Sequence, residues 1–158
     1  MQKALMTTIR IEDLIPHRGR MKLIDDVLEV NDTLAKTSSL VAENWPLDEM
    51  NTVDPIILIE LIAQTAGVLE GWKSKKKGGK AVKSGWLVGI KKTDFFTDRI
   101  PVNTQLITSA RRLYSIESAF ESYAVFAGEV ESDLGLLSRV ELQVFRPEAE
   151  TGSIEDKS

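Results

Sequence analysis

A chain of 158 residues, 42% hydrophobic and 28% charged, is long enough for one domain with a real apolar core and too apolar for a disordered polymer. Of the formal net charge of −4, the segment Pro147–Ser158 carries −3, which leaves −1 for residues 1–146. So neutral a body lacks the basic footprint of general nucleic-acid binding. With no cysteine and one histidine, disulfides, thiol nucleophiles and thiolate metal sites are excluded and a zinc centre is disfavoured.

Met1–Arg10 lacks the basic segment and apolar stretch of a secretory signal, so a cytoplasmic protein is expected. Thr7–Leu14 reads as a short strand or helical turn. It runs into Leu14-Ile15-Pro16-His17-Arg18, which holds the only histidine. Lys22–Val30 and Leu34–Val41 flank Asn31-Asp32-Thr33 and predict a hairpin. Ala42–Val53, with Trp45-Pro46, reads as a loop. Asp54 as N-cap and Pro55 at the first position then open a helix that continues to about Trp72. Its apolar run, Ile56–Leu69, is shorter than a bilayer span and is interrupted by Glu60, Gln64 and Gly67, which marks a core helix.

Lys73–Lys80 reads as a basic, glycine-containing loop, of the kind that is usually solvated. Strand patterns return over Gly85–Lys91, Thr104–Leu113, Ala119–Val130 and Leu136–Phe145, with an irregular stretch at Phe95–Asn103 and a turn at Glu131–Gly135. The expectation is a single domain over 1–146 and a flexible acidic tail over 147–158. Two strands, one helix apolar on nearly all sides and four more strands predict an α+β protein. In it an antiparallel sheet curls around the long helix, and a second subunit finishes an exposed helix side or sheet edge.

Two residues stand out chemically. Neutral imidazole accepts a proton near neutral pH, which suits His17 to the role of base. Burial on an apolar helix pushes a carboxyl toward its neutral, proton-donating form, which suits Glu60 to the role of acid. The two form an acid/base pair if the fold brings them together. Gln64, four residues after Glu60, shares its face and is placed to orient it, or is an ordinary helix amide.

Three segments match one family in the same order. Leu14-Ile15-Pro16-His17-Arg18 with Met21–Val27 is similar to a Leu-Pro-His-Arg segment and its hydrophobic-Asp continuation. Ile56–Gly67 is similar to a helix with a Glu-x-x-Ala-Gln core, and Gly85–Phe95 to a central strand with Gly-Ile and a later Phe. On these residues the chain resembles the β-hydroxyacyl-acyl-carrier-protein dehydratases of the hot-dog superfamily. Departures at Gly19-Arg20 (for Tyr-Pro), Asp26 (for Arg), Glu43–Pro46 (for His-Phe-Pro) and Pro55-Ile56 (for Pro-Gly) resemble its divergent, aryl-polyene-type branch.

The resemblance implies a hot-dog fold and dehydration of (3R)-3-hydroxyacyl groups on acyl carrier protein, or on coenzyme A, to trans-2-enoyl thioesters. No cofactor or metal is implied. His17 is then the base at C2 and Glu60 the acid at the leaving hydroxyl, contributed by different subunits of a homodimer or a larger oligomer of dimers. Substrate contacts fall on Gln64, on the Ile56 backbone N–H at the positive helix end, on Phe95 along an acyl tunnel with Met21 and Leu106, and on Gly89. The lysine loop is expected to attract the carrier or simply to face solvent. Asp25 is expected to be structural. Two other functions fit the same residues: a hot-dog acyl thioesterase using Glu60 alone, and a non-catalytic acyl-binding or assembly subunit.

Overall fold

The computed structural model describes residues 10–78, 87–118 and 121–147. One-turn 3-10 helices at Ile11–Asp13 and Gly19–Met21 precede the first strands, β1 (Asp26–Val30) and β2 (Leu34–Leu40). Then come a two-residue strand β3 (Thr52–Val53), the helix α1 (Ile57–Lys76), β4 (Leu87–Phe95) and a second two-residue strand β5 (Ile100–Pro101). The long strands β6 (Gln105–Glu117), β7 (Glu121–Ser132) and β8 (Gly135–Pro147) close the order. Six strands form one antiparallel sheet in the order β1-β2-β6-β7-β8-β4, and β3 pairs with β5 beside it.

The predicted hairpin forms as expected. Asn31 Oδ1 accepts from the N–H groups of Thr33 and Leu34 at 3.0 and 2.9 Å, the local bonding that makes asparagine a turn former. Alternation along β6 buries Leu106, Thr108 and Ala110 and turns their neighbours outward. Register shifts within β1–β2, β4–β8, β6–β7 and β7–β8 are bulges that add twist, and the twisted sheet packs its inner face against α1. On the helix, Leu58, Leu61, Ile62, Thr65, Ala66, Val68 and Leu69 are buried against that face. Full burial of one such leucine is worth about 1.5–3 kcal/mol. At Gly128 on β7 an added Cβ would collide with Ile62, so glycine sets how closely helix and sheet approach.

Several boundaries differ from expectation: β1 begins at Asp26 rather than Lys22, β4 runs on to Phe95 and β6 to Glu117. The helix extends one turn beyond Trp72, because Lys73, Lys75 and Lys76 are good helix formers at the negative helix end. Tertiary partners hold them there: Lys75 lies 4.0 Å from Asp13, Lys76 lies 3.2 Å from Asp32, and Lys76 also sits 4.9 Å over the Trp72 ring. Gly78, at φ +79°, ends the helix in the left-handed conformation that glycine tolerates. The basic stretch is therefore largely the last helical turn, and only its end (79–80) falls outside the described residues, as do Thr7–Ile9 and the tail from 148. The loop of 42–53 and the irregular stretch of 95–103 contribute β3 and β5. No described helix is long and apolar enough to cross a membrane.

Candidate active site

His17 lies in the segment that crosses α1 before β1. Leu14 and Ile15 are buried on the helix, and two glycines admit them. A Cβ at Gly71 would collide with the Leu14 carbonyl, and one at Gly67 would press on Ile15 at 3.2 Å. That docking carries His17 to the first turn of the helix, where its Nε2 is 3.3 Å from Glu60 Oε1. Both side chains remain partly open, 27% and 44% exposed, so a ligand has access to the pair. Both also belong to one chain. The resemblance implied that the two come from different subunits, whereas here the segment before β1 folds back on its own helix and brings them together within one chain.

Gln64 fixes the arrangement. It is fully buried, donates to Glu60 Oε1 at 2.9 Å and to the Met21 carbonyl at 2.7 Å, and accepts from the Leu23 N–H at 3.0 Å. One amide thus ties the carboxyl to the chain entering β1. Burial pushes the Glu60 carboxyl up, but the hydrogen bonds from His17 and Gln64, with the charge of His17, outweigh it and hold its pKa below the ordinary value of 4.5. The expectation that burial keeps Glu60 protonated is corrected accordingly: its carboxyl is biased toward the ionised form beside the His17 ring.

The Ile56 assignment is also corrected. Its side chain is 64% exposed, and its backbone N–H is already spent on Asp54 Oδ1 at 2.9 Å. The helix starts at Ile57 with Ile56 as N-cap and no side-chain cap, so the expected Asp54 cap is corrected: Asp54 holds the turn that leads into the helix. The next donors, Ile57, Leu58 and Ile59 N–H, bond to the carbonyls of Asp54, Pro55 and Ile56. Gly89 and Phe95 lie on β4, the sheet edge opposite β1, with Phe95 40% exposed and Gly89 packed on Gln143. Leu106 is fully buried in the core, while Met21 is exposed beside Gln64. Asp25 is structural: its Oδ2 accepts the Leu40 N–H at 2.7 Å. A separate cavity of about 430 Å³, lined by residues including Arg99, Asn103, Gln105, Ser132 and Leu137, contains neither His17 nor Glu60.

Sequence reasoning missed the residues that fasten the His17 segment. Arg18 donates to the carbonyls of Ile15 (2.6 Å), His17 (2.8 Å) and Glu12 (2.5 Å), and Lys22 Nζ reaches Glu12 Oε1 at 2.7 Å. The only signal was that Arg18 adjoins His17.

A sheet curled on one apolar helix is the hot-dog layout, and in this chain an imidazole and a carboxyl meet at the start of that helix. The family model of the ApeP dehydratases matches residues 9–155. The 3-hydroxyacyl-[acyl-carrier-protein] dehydratase FabZ of Streptococcus equi subsp. zooepidemicus is 31% identical over 112 residues, 68% of this chain and 76% of that enzyme. Its counterpart in Streptococcus uberis is 35% identical over 105 residues, 63% and 71% of the two chains. The dehydratase heterocomplex ApeI:P of Xenorhabdus doucetiae shares the fold, with a TM-score of 0.74 at 18% identity over 88% of this chain and 91% of that one. The chain belongs to the ApeP-like dehydratase family.

Proposed function

We propose that this dehydratase removes water from (3R)-3-hydroxyacyl groups held as thioesters on acyl carrier protein, giving trans-2-enoyl thioesters. The observation that carries the reading is the 3.3 Å contact of His17 Nε2 with Glu60 Oε1, braced by Gln64. In the productive form Glu60 has taken up a proton and the His17 ring is neutral. His17 Nε2 takes the C2 proton, the C2–C3 double bond forms, and the C3–O bond breaks as the hydroxyl takes the proton of Glu60 and leaves as water. Imidazolium and carboxylate remain, close enough to pass the proton back directly. His17→Ala and Glu60→Gln are each expected to lower kcat/KM for enoyl formation by about 10²–10⁴-fold. Full activity in either variant overturns the assignment.

The carrier is supported by the substrate named for the FabZ relatives, and an enzyme that meets carrier-linked acyl groups works in the cytoplasm. Neutralising Lys73 and Lys77, neither of which forms an ion pair among the described residues as Lys75 and Lys76 do, tests whether the lysines steer the carrier. Carrier-linked turnover falls in a salt-dependent way if they do, and stays constant if they do not. A second chain completes the acyl tunnel. Supporting this are the half-open helix face of Ile56, Ile59, Ala63 and Gly67, and the edge strand β4 with Ile90 and Phe95 exposed. That second chain is a copy of this one. The ApeI:P heterocomplex favours a different hot-dog chain as the second reading, and the mass of the purified protein, alone and with such a chain, separates the two.

A further inference from the structure

We propose that Glu12 is a positioning residue for the His17 imidazole, acting through a strap in which Lys22 grips its carboxylate and Arg18 grips its backbone carbonyl. The proposal rests on the dehydratase reading of His17 and Glu60. The imidazole itself is held by few bonds: Nε2 faces Glu60, and Nδ1 is buried with no hydrogen-bond partner among the described residues. Catalytic and metal-bound histidines are commonly oriented through that second nitrogen. Here the orientation must come from the backbone that carries the ring.

That backbone has an unusual source of freedom. Gly19 stands two residues on at φ +57°. Glycine leaves the backbone there more conformational freedom than any other residue would. The strap restores the restraint. Arg18 collects three carbonyls, from Glu12, Ile15 and His17, on one guanidinium. Lys22 closes the loop from its far end onto Glu12 Oε1 at 2.7 Å, with both side chains about two-thirds covered and so less screened than a surface pair. The hydrogen bond from Lys22 is the largest cause holding the Glu12 carboxyl down at about 2, so the strap stays charged throughout the neutral range. Arg10, 3.8 Å from Glu12, and Lys75, 4.0 Å from Asp13, tie the same turn to its surroundings.

The single histidine makes the test direct, because the protein gives one imidazole Cε1–H resonance. Glu12→Gln and Lys22→Met are expected to lower kcat about ten-fold with KM changed less than about two-fold, the scale of a sub-ångström to ångström misplacement. The imidazole line broadens or splits in both. Lys22→Arg, which keeps the cation, and the reversed pair Glu12→Lys with Lys22→Glu recover a sharp line and most of kcat. A sharp, wild-type line and wild-type kcat in folded Lys22→Met overturn the strap, as does failure of both Lys22→Arg and the reversed pair to recover. If wild type itself forms no enoyl product, the dehydratase reading fails, and the resonance still decides the strap.

Discussion

Burial alone would raise the pKa of Glu60, yet donors from His17 and Gln64 draw it below 4.5. A folded value below the unfolded one means that the ionised form stabilises the fold. That contribution is complete above the ordinary carboxylate range, begins to fade as the pH falls past about 4.5, and is gone below the lowered folded value. Acid unfolding of Glu60→Gln should therefore show a shallower loss of stability over that window than wild type; an identical slope would mean that Glu60 is not held ionised. Gln64 has a larger structural stake. Gln64→Leu orphans the Leu23 N–H and the Met21 carbonyl, at about 1–3 kcal/mol for each buried group left unpaired. Urea denaturation should register that loss, and kcat should fall with it.

At the level of elements, the site depends on a strand-like lead-in docking onto a helix through glycine. Gly71→Ala forces a methyl group into the Leu14 carbonyl, so overpacking of about 1–3 kcal/mol is expected in thermal unfolding, with a loss of activity as the His17 segment lifts. Unchanged stability would contradict the docking. The hairpin at Asn31 and the helix opening at Asp54-Pro55 were legible because local bonding decides them. The last helical turn was not: its lysines look like a solvated loop until Asp13, Asp32 and Trp72, distant or one turn back, supply their partners. The turn at Asp54 was legible, but its cost was not carried through, since an aspartate that accepts the Ile56 N–H removes the donor assigned to the substrate. Glu60 and Gln64 were legible as a pair by their four-residue spacing. Their third partner, the chain at Met21–Leu23, depends on a tertiary fold-back that no periodicity records.

For the whole molecule, the family likeness carried the fold and the reaction class, while the meeting of His17 and Glu60 within one chain follows from this chain's own path across its helix. On the proposed reading, a second chain need not supply the acid or the base, because His17 and Glu60 already meet within one chain. A complementation assay tests that claim most directly, by mixing His17→Ala and Glu60→Gln chains under conditions where subunits exchange. A pair contained in one chain predicts that mixtures stay as inactive as either variant alone. A pair built across a two-fold contact would regenerate one intact site in every mixed dimer, and activity returning to about a quarter of wild type would contradict the account.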